Sequence, residues 1–259
     1  MQKSVRHTRE HLITLALVLG FLGIWEFCAR TGKISALIFP PPTVIVQSFF
    51  VDLIHGVYTK DTLISLSRMF IGIIIGGGIG LILGLIMGWS KPVRTVLDPI
   101  ISALLPIPKL TLLPMALIIF GLGETSRTVM VSISAFFPML VNAMVGVVQI
   151  NPTYYEVVEN YGASHFDVFR KVVLPGSMPL VLSGFRLSFQ AALMVTVGIE
   201  MMWGNSGLGA VLWLAWETMR MTSLYSVLII ISVIGVGFNW LLEYLQVILL
   251  PWHHENRPS

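Results

Sequence analysis

The stretch EVVENYGASHFDVFRKVVLPG, Glu156 to Gly176, separates two long apolar runs. It carries acids, an adjacent Arg170–Lys171 pair, a glycine near its middle and a closing Leu174–Pro175. Just before it, Asn151 suits an N-cap and Pro152 a first helical position. Tyr154, Val157, Val158 and Tyr161 recur at i, i+3, i+4 and i+7, which predicts a short helix with one apolar face. Gly162 suits a left-handed cap that ends it. Ser164, with Asp167 three residues on, resembles a capping box that opens a second helix with Phe166, Phe169 and Val173 on its apolar side. Pro175 is expected to stop that helix as the chain re-enters a membrane. The spacing thus predicts a helix–glycine–helix element at a membrane surface. Such an element is either a connector at the lipid interface or a docking helix for a partner's groove, since both need the same amphipathic pattern.

The rest of the chain supplies the membrane. Of its 259 residues 55% are hydrophobic and only 11% charged, with a mean hydropathy of +0.84. A soluble domain carries about a quarter charged residues. Alternation at period two is absent, which argues against a β-barrel. The predicted fold class is all-α and polytopic, with about six transmembrane helices. Spans are expected over Leu12–Cys28, Leu63–Trp89, Pro99–Phe120, Thr128–Val148, Met178–Trp203 and Leu224–Leu250. Trp25–Cys28 lacks a small-x-small cleavage pattern, so the first is read as a retained anchor. After Pro40-Pro41-Pro42, Thr43–Gly56 reads as a short surface helix. Ser90–Asp98 reads as a loop, Gly121–Arg127 as a turn, Gly204–Gly209 as a loop and Ala210–Met221 as a short amphipathic stretch. Gly76, Gly80, Gly84 and Gly88 form a small-xxx-small ladder for close helix approach, within the subunit or across a dimer. Residues 1–259 are expected to make a single transmembrane domain, with its core over about 63–250 and the polar loop over 151–176.

Six spans put both termini on one side of the membrane. On that side fall Lys3, Arg6, Arg9, Lys91, Arg94, Arg170, Lys171, Arg186 and Arg257; opposite lie Arg30, Lys33, Lys60, Arg127 and Arg220. The bias predicts cytoplasmic termini and a cytoplasmic polar loop. The net charge of +3 therefore reads as topology and gives no argument for nucleic acid. Cys28 is alone, and the histidines, including His253 and His254, show no metal-ligand spacing, so no metal site is expected.

Glu156-Val157-Val158, three residues, Gly162, nine residues, then Val172-x-Leu174-Pro175 resembles the EAA loop of ABC importer permeases. That loop reads Glu-Ala-Ala, three residues, Gly, nine residues, Ile-x-Leu-Pro. Here valines replace the alanines and the isoleucine, which keeps the apolar character and enlarges the face. LLPIPKLTLLP, IIFGLGETSR, FFPMLVNAMVGV, SGFRLSF, GIEM, NSGLG and the Trp252 ending extend the resemblance to the nitrate/sulfonate/taurine/bicarbonate-type group, from about Phe39 onward. The resemblance implies a type I importer permease fold in a bacterial plasma (inner) membrane. It implies a homodimer with a second permease copy, a cytoplasmic ATPase dimer that binds ATP and Mg, and an extracytoplasmic solute-binding protein delivering a small anion. This chain is then a non-catalytic subunit with no cofactor of its own, and it contains no G-x-x-x-x-G-K-[ST] loop. Glu156, Gly162, Leu174 and Pro175 are the docking-loop positions by this resemblance, with Val157, Val158, Tyr161, Ala163, Phe166 and Phe169 around them.

Pro106, Pro108 and Pro114 interrupt the third expected span. Broken helices tend to line pathways, because freed backbone groups need protein or water around them. Lys109 lies in this break and either assists anion passage or is structural, snorkelling or paired with Glu200 or Glu124. Glu200, the clearest intramembrane acid, either bonds to a basic residue of a neighbouring helix or marks a gate. Glu26 is expected at the interface and Arg186 as a topology anchor. A stand-alone carrier or channel is the alternative class; it would show inverted repeats and coupling-ion carboxylates in several spans. A membrane enzyme would need a Ser/His or Cys/His constellation, which the apolar runs lack.

Overall fold

The computed structural model describes the backbone of residues 2–251 and the side chains of residues 13–251, that of Glu159 excepted. The tail from Trp252 to Ser259, with His253, His254 and Arg257, and the side chains of Lys3, Arg6 and Arg9 lie outside the described residues. Every regular element among the described residues is helical. In chain order these are α1 (Gln2–Arg30), α2 (Pro42–Ile54), α3 (Thr59–Trp89), α4 (Lys91–Leu104), α5 (Lys109–Phe120), α6 (Glu124–Val148), α7 (Pro152–Asn160), α8 (His165–Trp203), α9 (Leu208–Glu217) and α10 (Met221–Leu249). Single π-turns interrupt α3 at Ile73–Gly77 and α8 at Phe169–Val173.

Among the described residues five helices, α1, α3, α6, α8 and α10, are long and apolar enough to cross a membrane. The pair α4–α5, bent by 88°, makes a sixth crossing if it is counted as one span. The expected loop at Ser90–Asp98 is helical instead. Ser90 is extended and Pro92 falls in the first turn of α4, so the polar residues that suggested a loop are those of a helix start. Pro175 likewise does not stop a helix. It lacks an N–H, but the wider π-turn just before it shifts the hydrogen-bond register, and α8 continues through to Trp203. The bend between α4 and α5 comes from Pro106 and Pro108. Pro114 lies in the first turn of the α-helical part of α5, where a missing N–H is harmless.

The centre of the bundle is α6, flanked by α3 and α8. Ideal Cβ atoms placed on Gly76, Gly80 and Gly84 of α3 would collide with the backbone carbonyl oxygens of Ser132, Phe136 and Leu140 of α6. A Cβ on Gly88 would come 2.6 Å from the Val147 side chain. The glycine ladder therefore packs within the subunit, backbone against backbone. Beside this contact, Met69, Ile73, Met130, Val131, Phe189 and Ile199 form the main apolar cluster. By contrast, α1 has only 6% of its spanning stretch buried. It is fastened near Arg30, where Glu26 accepts the Thr43 N–H at 3.0 Å and the Thr43 hydroxyl at 2.7 Å.

Replacement of Gly80 by Val should force α3 from α6 and destabilise by about 1–3 kcal/mol or more, as overpacking does. Gly78→Ala adds a methyl that meets nothing within 4 Å. It should be neutral or stabilising by up to roughly 1 kcal/mol. Thermal unfolding of the two detergent-purified variants separates these outcomes; equal midpoints would contradict the ladder packing.

Candidate docking site and buried ion network

The polar loop folds as its local chemistry dictates. The Asn151 side chain accepts the Thr153 N–H at 3.0 Å and opens α7. Gly162, at φ +72°, ends it; the Ala163 N–H returns to the Val158 carbonyl at 3.1 Å. The Ser164 hydroxyl accepts the Asp167 N–H at 3.2 Å and donates to the Asp167 carboxylate at 2.6 Å, which starts α8. Asp167 also pairs with Lys171 at 2.9 Å.

The expected single apolar face is split into two stripes. Tyr155 and Val158, with Ala163 and Phe169, pack inward on Leu85, Val147, Val168 and Val173. Burial raises the Tyr155 phenol above its ordinary pKa, so it stays an uncharged wedge. Tyr154 and Val157 point outward with Tyr161, which is 88% exposed, and Phe166, which is 69% exposed. Glu156 is exposed beside them, and Leu174 and Pro175 are half-buried at the root of α8. A cleft of about 530 Å³ opens next to Tyr154, between Asn151, Lys171, Pro175 and Pro179. Phe169, in the π-turn, stacks on Trp89 at the end of α3, with ring centroids 5.1 Å apart and planes at 22°. The loop is thus joined directly to the glycine-ladder helix.

The opposite end of the bundle is organised around Arg68 of α3, which is 5% exposed, and Glu200 of α8, which is 1% exposed. The Arg68 Nη1 donates to Glu200 Oε1 at 2.8 Å and to the Ser206 carbonyl at 2.9 Å. Its Nε and Nη2 grip both oxygens of Glu124, at 2.7 and 2.6 Å, and Nη2 also donates to the Ser206 hydroxyl at 3.0 Å. All five guanidinium protons are therefore met. Glu200 accepts further hydrogen bonds from the Ser65 hydroxyl, at 2.7 Å to Oε2, and from the Gly209 N–H at 3.0 Å. Ser65 Oγ in turn accepts the Leu208 N–H at 2.9 Å, and Asp61 accepts the Gly207 N–H at 2.7 Å. A Cβ on Gly207, at φ +101°, would run into the Glu200 carboxylate, so the loop can wrap this acid only with glycine there. Arg127 completes the network, donating to Glu124 at 2.7 Å and to the Trp203 carbonyl at 2.9 Å.

Lys109 has neither of the acidic partners considered for it. Its Nζ donates to the carbonyls of Leu104, Leu105 and Ile107 at 2.9, 3.1 and 3.0 Å, and lies 4.1 Å from the centre of the Phe137 ring. It caps the C-terminus of α4, where Pro106 and Pro108 leave carbonyls without helical donors. Glu124 and Glu200 are both held by Arg68 instead. Arg186 reaches Glu243 of α10 at 3.6 Å.

Residues 76–252 match the family described as binding-protein-dependent transport system inner membrane component. This chain belongs to that family. A Bacillus subtilis protein named as an aliphatic sulfonates transport permease is 29% identical, over 90% of this chain and 84% of its own. The taurine transport system permease protein of Escherichia coli is 28% identical, over 96% of this chain and 92% of its own. A chain of the MetNI methionine ABC transporter, solved in inward-facing conformations, matches with a TM-score of 0.57 at 18% identity, covering 76% of this chain and 95% of that one. The shared fold is that of a type I importer permease.

In this inner membrane component, the residues read from sequence as a docking loop do come together as one element, and those read as pathway residues divide between two places. Lys109, Pro106 and Pro108 form the α4–α5 bend, with Pro114 one helical turn further on, whereas Glu200 belongs to the ion network. Arg68 and Ser65 were missed. The available signal was a lone arginine inside an apolar span, which requires a buried partner.

Glu200→Ala leaves the buried guanidinium one carboxylate short and should destabilise by about 3–5 kcal/mol. Ser65→Ala, which removes one hydroxyl, should cost about 1–3 kcal/mol. Thermal unfolding in detergent reads both; an unchanged midpoint for Glu200→Ala would refute the network's structural weight.

Proposed function

We propose that this permease forms the membrane pathway of an ATP-driven importer for a small anion, and that its 151–176 element is the seat of a cytoplasmic ATPase. The observation that carries this reading is the second apolar stripe. The inner stripe of α7 is already packed on the bundle, yet Tyr154, Val157, Tyr161 and Phe166 stand exposed on a polar segment outside the apolar spans. An amphipathic helix of this kind fits a groove on another protein. Glu156, Val158, Gly162, Ala163, Phe169, Leu174 and Pro175 complete the element, by shaping or rooting it.

The Lys/Arg bias supports a cytoplasmic position for this loop and for both termini. The Arg68–Glu200 end then faces the extracytoplasmic side, where a solute-binding protein delivers substrate. ATP and Mg belong to the ATPase pair, and this chain contributes no catalytic group or cofactor. Two copies of the permease enclose the pathway in the bacterial plasma membrane. Force from the ATPase reaches α3 through the stacked Phe169 and Trp89 rings.

An anionic substrate is supported by charge. In the ion network Arg68 and Arg127 face Glu124 and Glu200. At the α4–α5 bend Lys109 is held by carbonyls and an aromatic face, and no carboxylate pairs with it among the described residues. All three of its protons are engaged, so it acts on a passing anion through its field rather than by donating to it. The relatives named for aliphatic sulfonates and taurine handle sulfonate groups; nitrate and bicarbonate share the same charge.

Tyr161→Asp alters an exposed side chain and should leave thermal stability unchanged while abolishing co-purification of the ATPase from native membranes. Gly162→Glu should do the same with an added strain of about 1–2 kcal/mol. Undiminished recovery of an ATPase with Tyr161→Asp would overturn the docking assignment. Lys109→Met should lower uptake of a radiolabelled alkanesulfonate relative to Lys109→Arg, with ATPase association intact in both. Equal uptake by the pair would remove Lys109 from the pathway.

A further inference from the structure

A furrow of about 550 Å³ runs along the outer side of the bundle, between α1, the start of α2 and α10. Trp25, Pro42 and Tyr225 line its upper end, Ser232 and Gly237 its wall, and Trp240 its far end. We propose that this furrow holds the acyl chain of one phospholipid, with its phosphate beside Arg30 and Lys33.

Four observations point to a lipid. The furrow's two long walls are the least buried of the five long apolar helices, with only 6% of the α1 stretch and 17% of the α10 stretch buried. Along the lining the Ser232 hydroxyl donates to the Leu228 carbonyl at 2.8 Å, and the unmet polar group is the Trp25 indole N–H, at the end assigned to the headgroup. From Tyr225 to Trp240 the α10 wall is about 22 Å long at 1.5 Å per residue. That length takes a chain through one leaflet, about 15 Å of a 30 Å core.

Charge marks the headgroup end. There the Trp25 and Tyr225 rings lie 5.6 Å apart, in the position of an interfacial aromatic pair. Arg30 donates to Thr43, next to the lining residue Pro42, and its side chain remains 62% exposed. Lys33 lies over the Phe27 ring nearby. Two cations stand against the single carboxylate of Glu26, which leaves one positive charge for a phosphate. The lipid would also supply packing that α1 lacks. Below its fastening at Glu26 and Trp25, α1 presents Leu15, Leu17, Leu19 and Phe21 exposed.

The test uses the full-length protein in vesicles of phosphatidylethanolamine and phosphatidylglycerol containing a phosphatidylglycerol with a photoactivatable diazirine on its acyl chain. Labelling should concentrate on peptides 22–25 and 225–240. Gly237→Phe puts a ring into the furrow from a position where a Cβ meets nothing within 4 Å. That variant should lose most of the labelling at these peptides while keeping the wild-type unfolding midpoint, because the Phe ring takes the place of the chain. Labelling spread evenly over the exposed faces of α1 and α10, or unchanged by Gly237→Phe, would overturn the proposal. So would efficient disulfide formation between Leu228→Cys residues of two copies in a Cys28→Ser background, because the furrow would then be covered by a second permease.

Discussion

One guanidinium orders one end of this molecule. Arg68 is buried, and a buried charge is tolerable only when its donors are met. Two carboxylates and one serine meet all of them. Because Glu124 begins α6, Glu200 lies near the end of α8 and Ser206 belongs to the following loop, satisfying one side chain fixes three helices and a loop at once. Gly207 and the first two residues of α9, Leu208 and Gly209, are then held through their own N–H groups by Asp61, Ser65 and Glu200. Replacing such a network with apolar side chains could give comparable stability. What apolar packing would not give is a loop held at successive backbone positions.

From that end the constraint passes down α3. The glycine ladder places the α3 backbone directly on the carbonyls of α6, so the two helices cannot slide without clashing. At the other end the Trp89–Phe169 stack ties the same helix to the polar loop. An ion network, a backbone contact and a ring stack thus lie on one element. Outside this unit lie the α4–α5 bend, capped by Lys109, and α1, whose spanning stretch is only 6% buried.

Much of this was legible in the sequence, for local reasons. The cap at Asn151, the left-handed Gly162 and the Ser164–Asp167 start depend on residues within a few positions of one another. The spans follow from hydrophobic length, and the break at Pro106 and Pro108 from missing N–H groups. The errors were local rules overridden by context. Pro175 suggested a helix end, but a π-turn absorbed it. Ser90 to Asp98 looked like a loop because helix starts and loops share polar residues and proline.

The sequence by itself determined the membrane class, the apolar spans, the polar 151–176 element and its turn chemistry, because each rests on composition or on neighbours along the chain. Only the tertiary structure decided which helix receives the glycine ladder, which apolar stripe of α7 stays outside, and which base meets Glu200. Those are contacts between residues up to 132 positions apart. Local periodicity names the partners such groups require, such as a cation for a buried acid. Which cation it is depends on how the helices pack, and here that places Arg68 beside Glu200 and leaves Lys109 to the carbonyls of its own bend.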